Sequence, residues 1–256
     1  MNRILYIVSL LAVLTSCSET YNIQGSSSVS SLDGSKLYLK AVKDQRIQNI
    51  DSCEVVHGKF SFSGTLDTVM MVNLFMDDRS LMMPLVLETG EISVRIDDSS
   101  RKVSGTPLNE ILYKFIDQHN QLDNRMNELS HRESQMLLDG IDESIINEQL
   151  SREAQLIAIE EDSLVTNFII DNFDNVLGPG VFMMITAGFE YPILTSQIEF
   201  IMSKATDKFK NDRYVKEYYR AANEIQARLQ GLDTTDSAAS SEPSDSTIQN
   251  ILNGKE

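Results

Sequence analysis

The hydrophobic period of this chain changes at Gly105, and that change divides what it can fold into. Over residues 21–105 apolar side chains recur at every second position between short turn signals, the pattern of antiparallel strands. Leu37, Leu39 and Ala41 alternate with Tyr38 and Lys40, and Ile92, Val94 and Ile96 alternate with Ser93 and Arg95. Phe60 and Phe62 share one face while Ser61 and Ser63 share the other. Between residues 50–56 and 59–63 stands His57-Gly58, which predicts a hairpin tip because glycine tolerates positive φ. The stretches 69–76 and 81–87 are more continuously apolar, as expected of central strands covered on both faces. The block predicts an antiparallel β-sandwich-like domain of about seven to eight strands.

Beyond Gly105 the spacing becomes three and four. Thr106 is a candidate N-cap with Pro107 at the first helical position, where a missing N–H costs nothing. Leu108, Ile111, Leu112, Phe115, Ile116, His119, Leu122, Met126 and Leu129 then fall on one stripe. A second helical run is expected over 141–176, with Ile145, Leu150, Ile157, Leu164, Phe168 and Phe173 as its apolar face. Gly178-Pro179-Gly180 is read as its stop. Two long amphipathic segments in succession predict a helical hairpin. Shorter helices follow: one over 181–187, one opening at Ser196 with Glu199 as its capping-box partner, and one over 212–229 ended by Gly231. The last has Val215, Tyr218, Tyr219, Ala222, Ile225 and Leu229 inward. The fold class is therefore α+β, with a sandwich over 21–105 and a mostly helical domain over 106–231. Residues 232–256 are rich in Asp, Ser, Thr and Ala and are expected to be a disordered tail. Within it Ile248, Ile251 and Leu252 allow a brief amphipathic turn.

The first residues predict an address. Arg3 precedes an apolar run over 4–13, and Leu14-Thr15-Ser16-Cys17 closes it before the polar Ser18-Glu19-Thr20. A positive start, a core of about ten apolar residues and small residues at the cut make a secretory leader over 1–16. The run is too short to cross a bilayer, which takes about 20 apolar residues. Cys17 at the cut resembles the bacterial lipobox, whose cysteine is acylated and becomes the new N-terminus. Each buried lipid methylene contributes about 0.8 kcal/mol, so a cysteine bearing more than one chain is a firm anchor. Residues 17–20 would then be a lipidated linker, and the expected location is the cell envelope. Ser18 in place of an aspartate favours the outer membrane over inner-membrane retention.

Charge and motifs narrow the rest. A net charge of −16 argues against a nucleic-acid partner, since phosphate binding takes a basic patch. Of two cysteines Cys17 is consumed by the anchor, so Cys53 has no intrachain partner. It is a possible free thiol, with burial in a strand as the plainer reading. His57, His119 and His131 lack the mutual spacing of metal ligands, and Asp77-Asp78, Asp97-Asp98 and Glu160-Glu161-Asp162 lack the calcium-loop pattern. His57 is expected in a turn, His119 on a helix face and His131 in a loop. No catalytic, cofactor or metal residue is assigned. Met70, Met71, Met76, Met82, Met83, Met183 and Met184 are read as core rather than as an adaptable binding surface.

Several segments together resemble a known family. They are Ile50-Asp51, the hairpin 58–64 (Gly-Lys-Phe-Ser-Phe-Ser-Gly), Leu87-Glu88-Thr89-Gly90-Glu91-Ile92 and Val103-Ser104-Gly105-Thr106-Pro107-Leu108-Asn109. This ordered set resembles the N-terminal domain of unknown function DUF4369, found on Bacteroidetes envelope lipoproteins. In many members that domain precedes a thioredoxin-like domain. The redox relatives act through a Cys-x-x-Cys pair, which this sequence lacks, so the resemblance transfers no catalytic residue. Two function classes follow as expectations. One is a non-catalytic binding or scaffolding lipoprotein with an envelope protein or small ligand as partner. The alternative is an accessory to thiol–disulfide or stress chemistry, through Cys53 or by docking a separate thioredoxin-like protein.

Overall fold

The computed structural model describes residues 19–43, 46–76 and 80–230. Cys17, Asp77-Asp78, Gly231 and the expected tail lie outside the described residues. Among the described residues eight strands form two four-stranded sheets: β1 (Thr20–Ser27), β2 (Lys36–Lys43), β3 (Arg46–Glu54), β4 (Lys59–Thr65), β5 (Met70–Met76), β6 (Ser80–Leu87), β7 (Gly90–Ile96) and β8 (Arg101–Ser104). One sheet has the order β4-β1-β7-β8 and the other β3-β2-β5-β6. Their inner faces carry the alternating residues read from the sequence, with Leu37, Leu39, Phe60, Phe62, Ile92, Val94 and Ile96 all buried.

Two details depart from a plain antiparallel sandwich. The pair β1–β7 is parallel, Tyr21 opposite Gly90, because the chain has visited the second sheet before returning beside its first strand. His57-Gly58 forms a tight two-residue turn with φ of 52° and 67°, as a primed hairpin turn requires. The strands it joins pair only at Val56 and Lys59, however. β3 belongs to one sheet and β4 to the other, so the turn carries the chain across the sandwich rather than closing a long hairpin. β6 is an edge strand rather than a central one, which explains how it accommodates Pro84.

Six α-helices follow among the described residues: α1 (Pro107–Leu138), α2 (Glu143–Asp171), α3 (Leu177–Thr186), α4 (Ser196–Lys204), α5 (Asp207–Asn211) and α6 (Arg213–Leu229). α1 and α2 are the expected hairpin. α1 runs past Leu129 to Leu138, so His131 is helical rather than in a loop. The polar run after Leu129 contains no glycine or proline, and Met136 resumes the stripe. Ile111, Ile145 and Leu229 point outward, contrary to their expected inward positions. α2 already ends at Asp171 rather than at the expected 176, so Gly178-Pro179-Gly180 does not stop it and instead lies in the first turn of α3. Pro179 falls in the first turn, where its absent N–H has no intrahelical acceptor to lose. Gly180 lets α3 approach β5, since a Cβ there would lie 1.9 Å from the Met71 sulfur. At α4 the cap is Thr195, whose hydroxyl accepts the Ile198 N–H, so Ser196 is already helical and the expected capping box does not form. Asp212 caps α6 through the Val215 N–H, with Val215, Tyr218 and Ala222 buried.

Three apolar cores result among the described residues. The sandwich core takes in Leu112, Tyr113 and Leu177 from the helical part. A second core joins the ends of the long hairpin nearest the sheets to α3–α6 around Phe182 and Phe209. The third lies wholly within the hairpin, where Leu122 and Leu129 of α1 meet Ile146, Leu150 and Ile157 of α2.

Candidate functional site

The most concentrated polar structure lies where the sandwich meets α1. Glu88, Thr106 and Asn109 are buried there. Asn109 sits beside the edge of β6, and its side-chain amide treats Val86 as a neighbouring strand would. Asn109 Oδ1 accepts the Val86 N–H at 2.9 Å, and Nδ2 donates to the Val86 carbonyl at 2.8 Å. Nδ2 also donates to Thr106 Oγ1 at 2.8 Å, so this hydroxyl is engaged away from the usual N-cap contact. Glu88 supplies that cap from the end of β6. Its Oε1 accepts the Leu108 and Asn109 N–H groups at 2.8 and 3.2 Å, placing a carboxylate at the positive end of the helix. Further along, the Tyr113 hydroxyl donates to the Pro84 carbonyl at 3.0 Å. Burial, and secondarily the Asp117 charge, raise the Tyr113 phenol despite the lowering effect of Arg101. The arrangement closes a sheet edge and fixes the helix direction.

Cys53 lies on β3 opposite Leu37, half-buried against the sandwich core, and is a free thiol. Its pKa is pushed up to about 11, mainly by burial and secondarily by the Asp51 charge, against a lowering hydrogen bond from the Ser61 backbone. A thiol held this high is almost wholly protonated near pH 7, the opposite of an activated cysteine.

The histidines do not converge. His57 is exposed in the turn, His131 is exposed on α1, and His119 pairs with Glu161 across the hairpin at 3.1 Å. Asp97 is held by Arg95 and Ser28, and Glu160 by Arg125. Among the described residues no three His, Cys, Asp or Glu side chains gather closely enough to hold a metal ion. Met83 is buried and Met70, Met71 and Met76 pack on the sandwich core, whereas Met184 is exposed.

Two concave surfaces accompany α1 and α2. An open cleft of about 260 Å³ between β8 and α1 is lined by Lys102, Glu110, Lys114 and Asp117, a mixed set with no dominant sign. A shallow groove of about 510 Å³ follows the outer face of α2, past Ile145, Glu148, Arg152 and Leu156. Ile145 and Leu156 are 55% and 56% exposed there, and Ile159, one turn beyond the groove, is 56% exposed. The spacing of 145, 149, 152, 156 and 159 places them on one stripe. The sequence pattern hid this second stripe, because the residues facing α1 supply a complete amphipathic face by themselves. No described helix is long and apolar enough to cross a membrane.

No curated protein matches the chain. A family match covers residues 21–112, ending inside α1 just beyond Asn109. The matched span therefore holds both sheets together with the helix turns that close the β6 edge. The sandwich and the start of α1 make up a domain of the family described as "Domain of unknown function (DUF4369)".

Proposed function

We propose that this protein is a lipid-anchored component of the cell envelope that binds or scaffolds a partner and carries out no chemistry itself. Cys17, set behind a short leader, supports the anchor, and Ser18 after it favours the outer membrane. The observation that carries the binding role is the outer stripe of α2. Fully burying a Leu or Ile side chain is worth about 1.5–3 kcal/mol, and a part of that is forgone at Ile145 and Leu156, which line this groove, and at Ile159, which continues the stripe beyond it. An amphipathic helix or strand of an envelope partner laid along it would recover that energy.

The alternative, a thiol–disulfide accessory acting through Cys53, loses support from the raised pKa of that thiol. Photocrosslinking in intact cells from a reactive residue at Gln149 tests the binding role. It should capture a discrete envelope protein, and Leu156→Glu with Ile159→Glu should abolish capture while leaving the exposed stripe's own helix folded. Capture unchanged by those substitutions, or none at all, would remove the role.

A further inference from the structure

We infer that the molecule stands on the bilayer on the pole formed by Glu19, the 65–68 turn and the Thr89-Gly90 turn, with the tip of the α1–α2 hairpin held away from the lipid. This inference rests on the acylated Cys17 of the proposed function and adds an orientation to it.

The tether is short. Only Ser18 separates Cys17 from Glu19. Two residue steps span at most about 7 Å even when fully extended. Glu19 itself is fixed to the body: its carbonyl accepts the Leu66 N–H at 2.8 Å, and its carboxylate accepts the Thr89 hydroxyl at 3.1 Å. Thr20 pairs with Thr65, and Tyr21 with Gly90. The start of β1, the end of β4 and the start of β7 thus share one pole, and the anchor emerges from it.

The same pole holds the start of α1, because Glu88 grips the Leu108 and Asn109 N–H groups there. From that point α1 runs antiparallel to β6. Asn109 lies beside Val86 and Tyr113 beside Pro84, so helix numbers rise as strand numbers fall. β6 has eight residues and covers about 26 Å. From Leu108 to Leu138 the helix advances about 45 Å. The helix therefore overruns the sandwich, and the hairpin-only core of Leu122, Leu129, Ile146, Leu150 and Ile157 is that overrun. Leu138, at the tip, is 88% exposed. A net charge of −16 opposes laying the long flank on an anionic headgroup surface. The outer stripe of α2 is thereby presented to the aqueous space rather than to the membrane.

The test uses full-length protein purified from bacterial membranes in detergent, in a Cys53→Ser background. A single fluorophore is placed at Asp67→Cys or at Leu138→Cys. Each is reconstituted into phosphatidylethanolamine–phosphatidylglycerol vesicles containing a lipid with a nitroxide on its headgroup. Flotation of the vesicles first reports anchoring, with Cys17→Ala as the unanchored control. Expected is quenching at Asp67→Cys several-fold above that at Leu138→Cys, whose emission matches vesicles without nitroxide. Floating protein quenched at Leu138→Cys as strongly as at Asp67→Cys, or at neither, overturns the orientation while leaving the anchor intact. Protein that retains Cys17 and fails to float overturns the anchor and the orientation with it.

Discussion

Asn109 shows how one side chain sets the relation between the two halves of the molecule. A polar residue one turn into an otherwise apolar stripe looks like a flaw, yet it is fully buried and makes three hydrogen bonds. Asn109→Leu keeps the branched outline of the side chain and strips the Val86 N–H and carbonyl of their partners. Each unsatisfied buried group costs about 1–3 kcal/mol, so urea denaturation should show a loss of about 2–5 kcal/mol. A loss below about 0.5 kcal/mol, the scale of a surface change, would mean the edge is satisfied in another way. Glu88, Thr106 and Asn109 all sit in the segments that carry the family resemblance. They were legible as a motif, but their partnership was not, because it joins a strand end to a helix start across the fold. Cys53 makes the complementary point. Its strand position was readable from alternation, while its protonation depends first on burial, then on the Ser61 backbone and the Asp51 charge. Alkylation of the native protein by iodoacetamide should be slow at neutral pH and rise with a midpoint near 11 rather than near its ordinary 9.0. A midpoint below 9.0 would restore a reactive thiol.

At the scale of elements, the hairpin was the clearest expectation and its ends the least clear. The stripe that packs α1 on α2 survives in the structure through Leu122, Leu129, Leu150 and Ile157. One misplacement occurs where glycine and proline have two meanings. Gly178-Pro179-Gly180 reads in sequence as a stop or as a first turn; α2 has already ended at Asp171, and the run forms the first turn of α3 against Met71. The strand sequence at 50–56 and 59–63 likewise permitted one hairpin, whereas the sheets claim its strands separately. Cross-hairpin pairs such as Arg125–Glu160 and Arg132–Glu153 are about half or one-third exposed and contribute little beside the apolar contacts. Ile157→Ala therefore tests what holds the overrun together. Truncating a buried isoleucine costs about 2–5 kcal/mol. Hydrogen exchange should accelerate over residues 122–157 and stay unchanged in β1–β8. Equal acceleration in the sandwich would show that the distal hairpin does not open as a separate unit.

For the whole molecule, buried hydroxyls and the thiol set an alkaline limit. Burial is the first cause raising Tyr21, Tyr113, Tyr214 and Tyr218, and it raises Cys53 as well. Each such group keeps its proton in the folded state after the unfolded chain has lost it. The unfolded state binds fewer protons over that interval, so stability falls as pH rises. The contribution of Cys53 is complete below its ordinary 9.0 and is lost through about 11, and the tyrosine contributions begin to fall near their ordinary 10.0. Thermal midpoints should stay flat from neutral pH to about 9 and then decline, and a rising midpoint would contradict the burial of these groups. The bodily architecture leads back to the first residues, because a short tether at one pole matters only if it ends in lipid. Mass spectrometry of the N-terminal peptide from membrane-extracted protein tests that most directly. The expected peptide begins at Cys17 and carries fatty acyl chains; a mature peptide starting there without them, or one retaining residues 1–16 intact, would contradict the account.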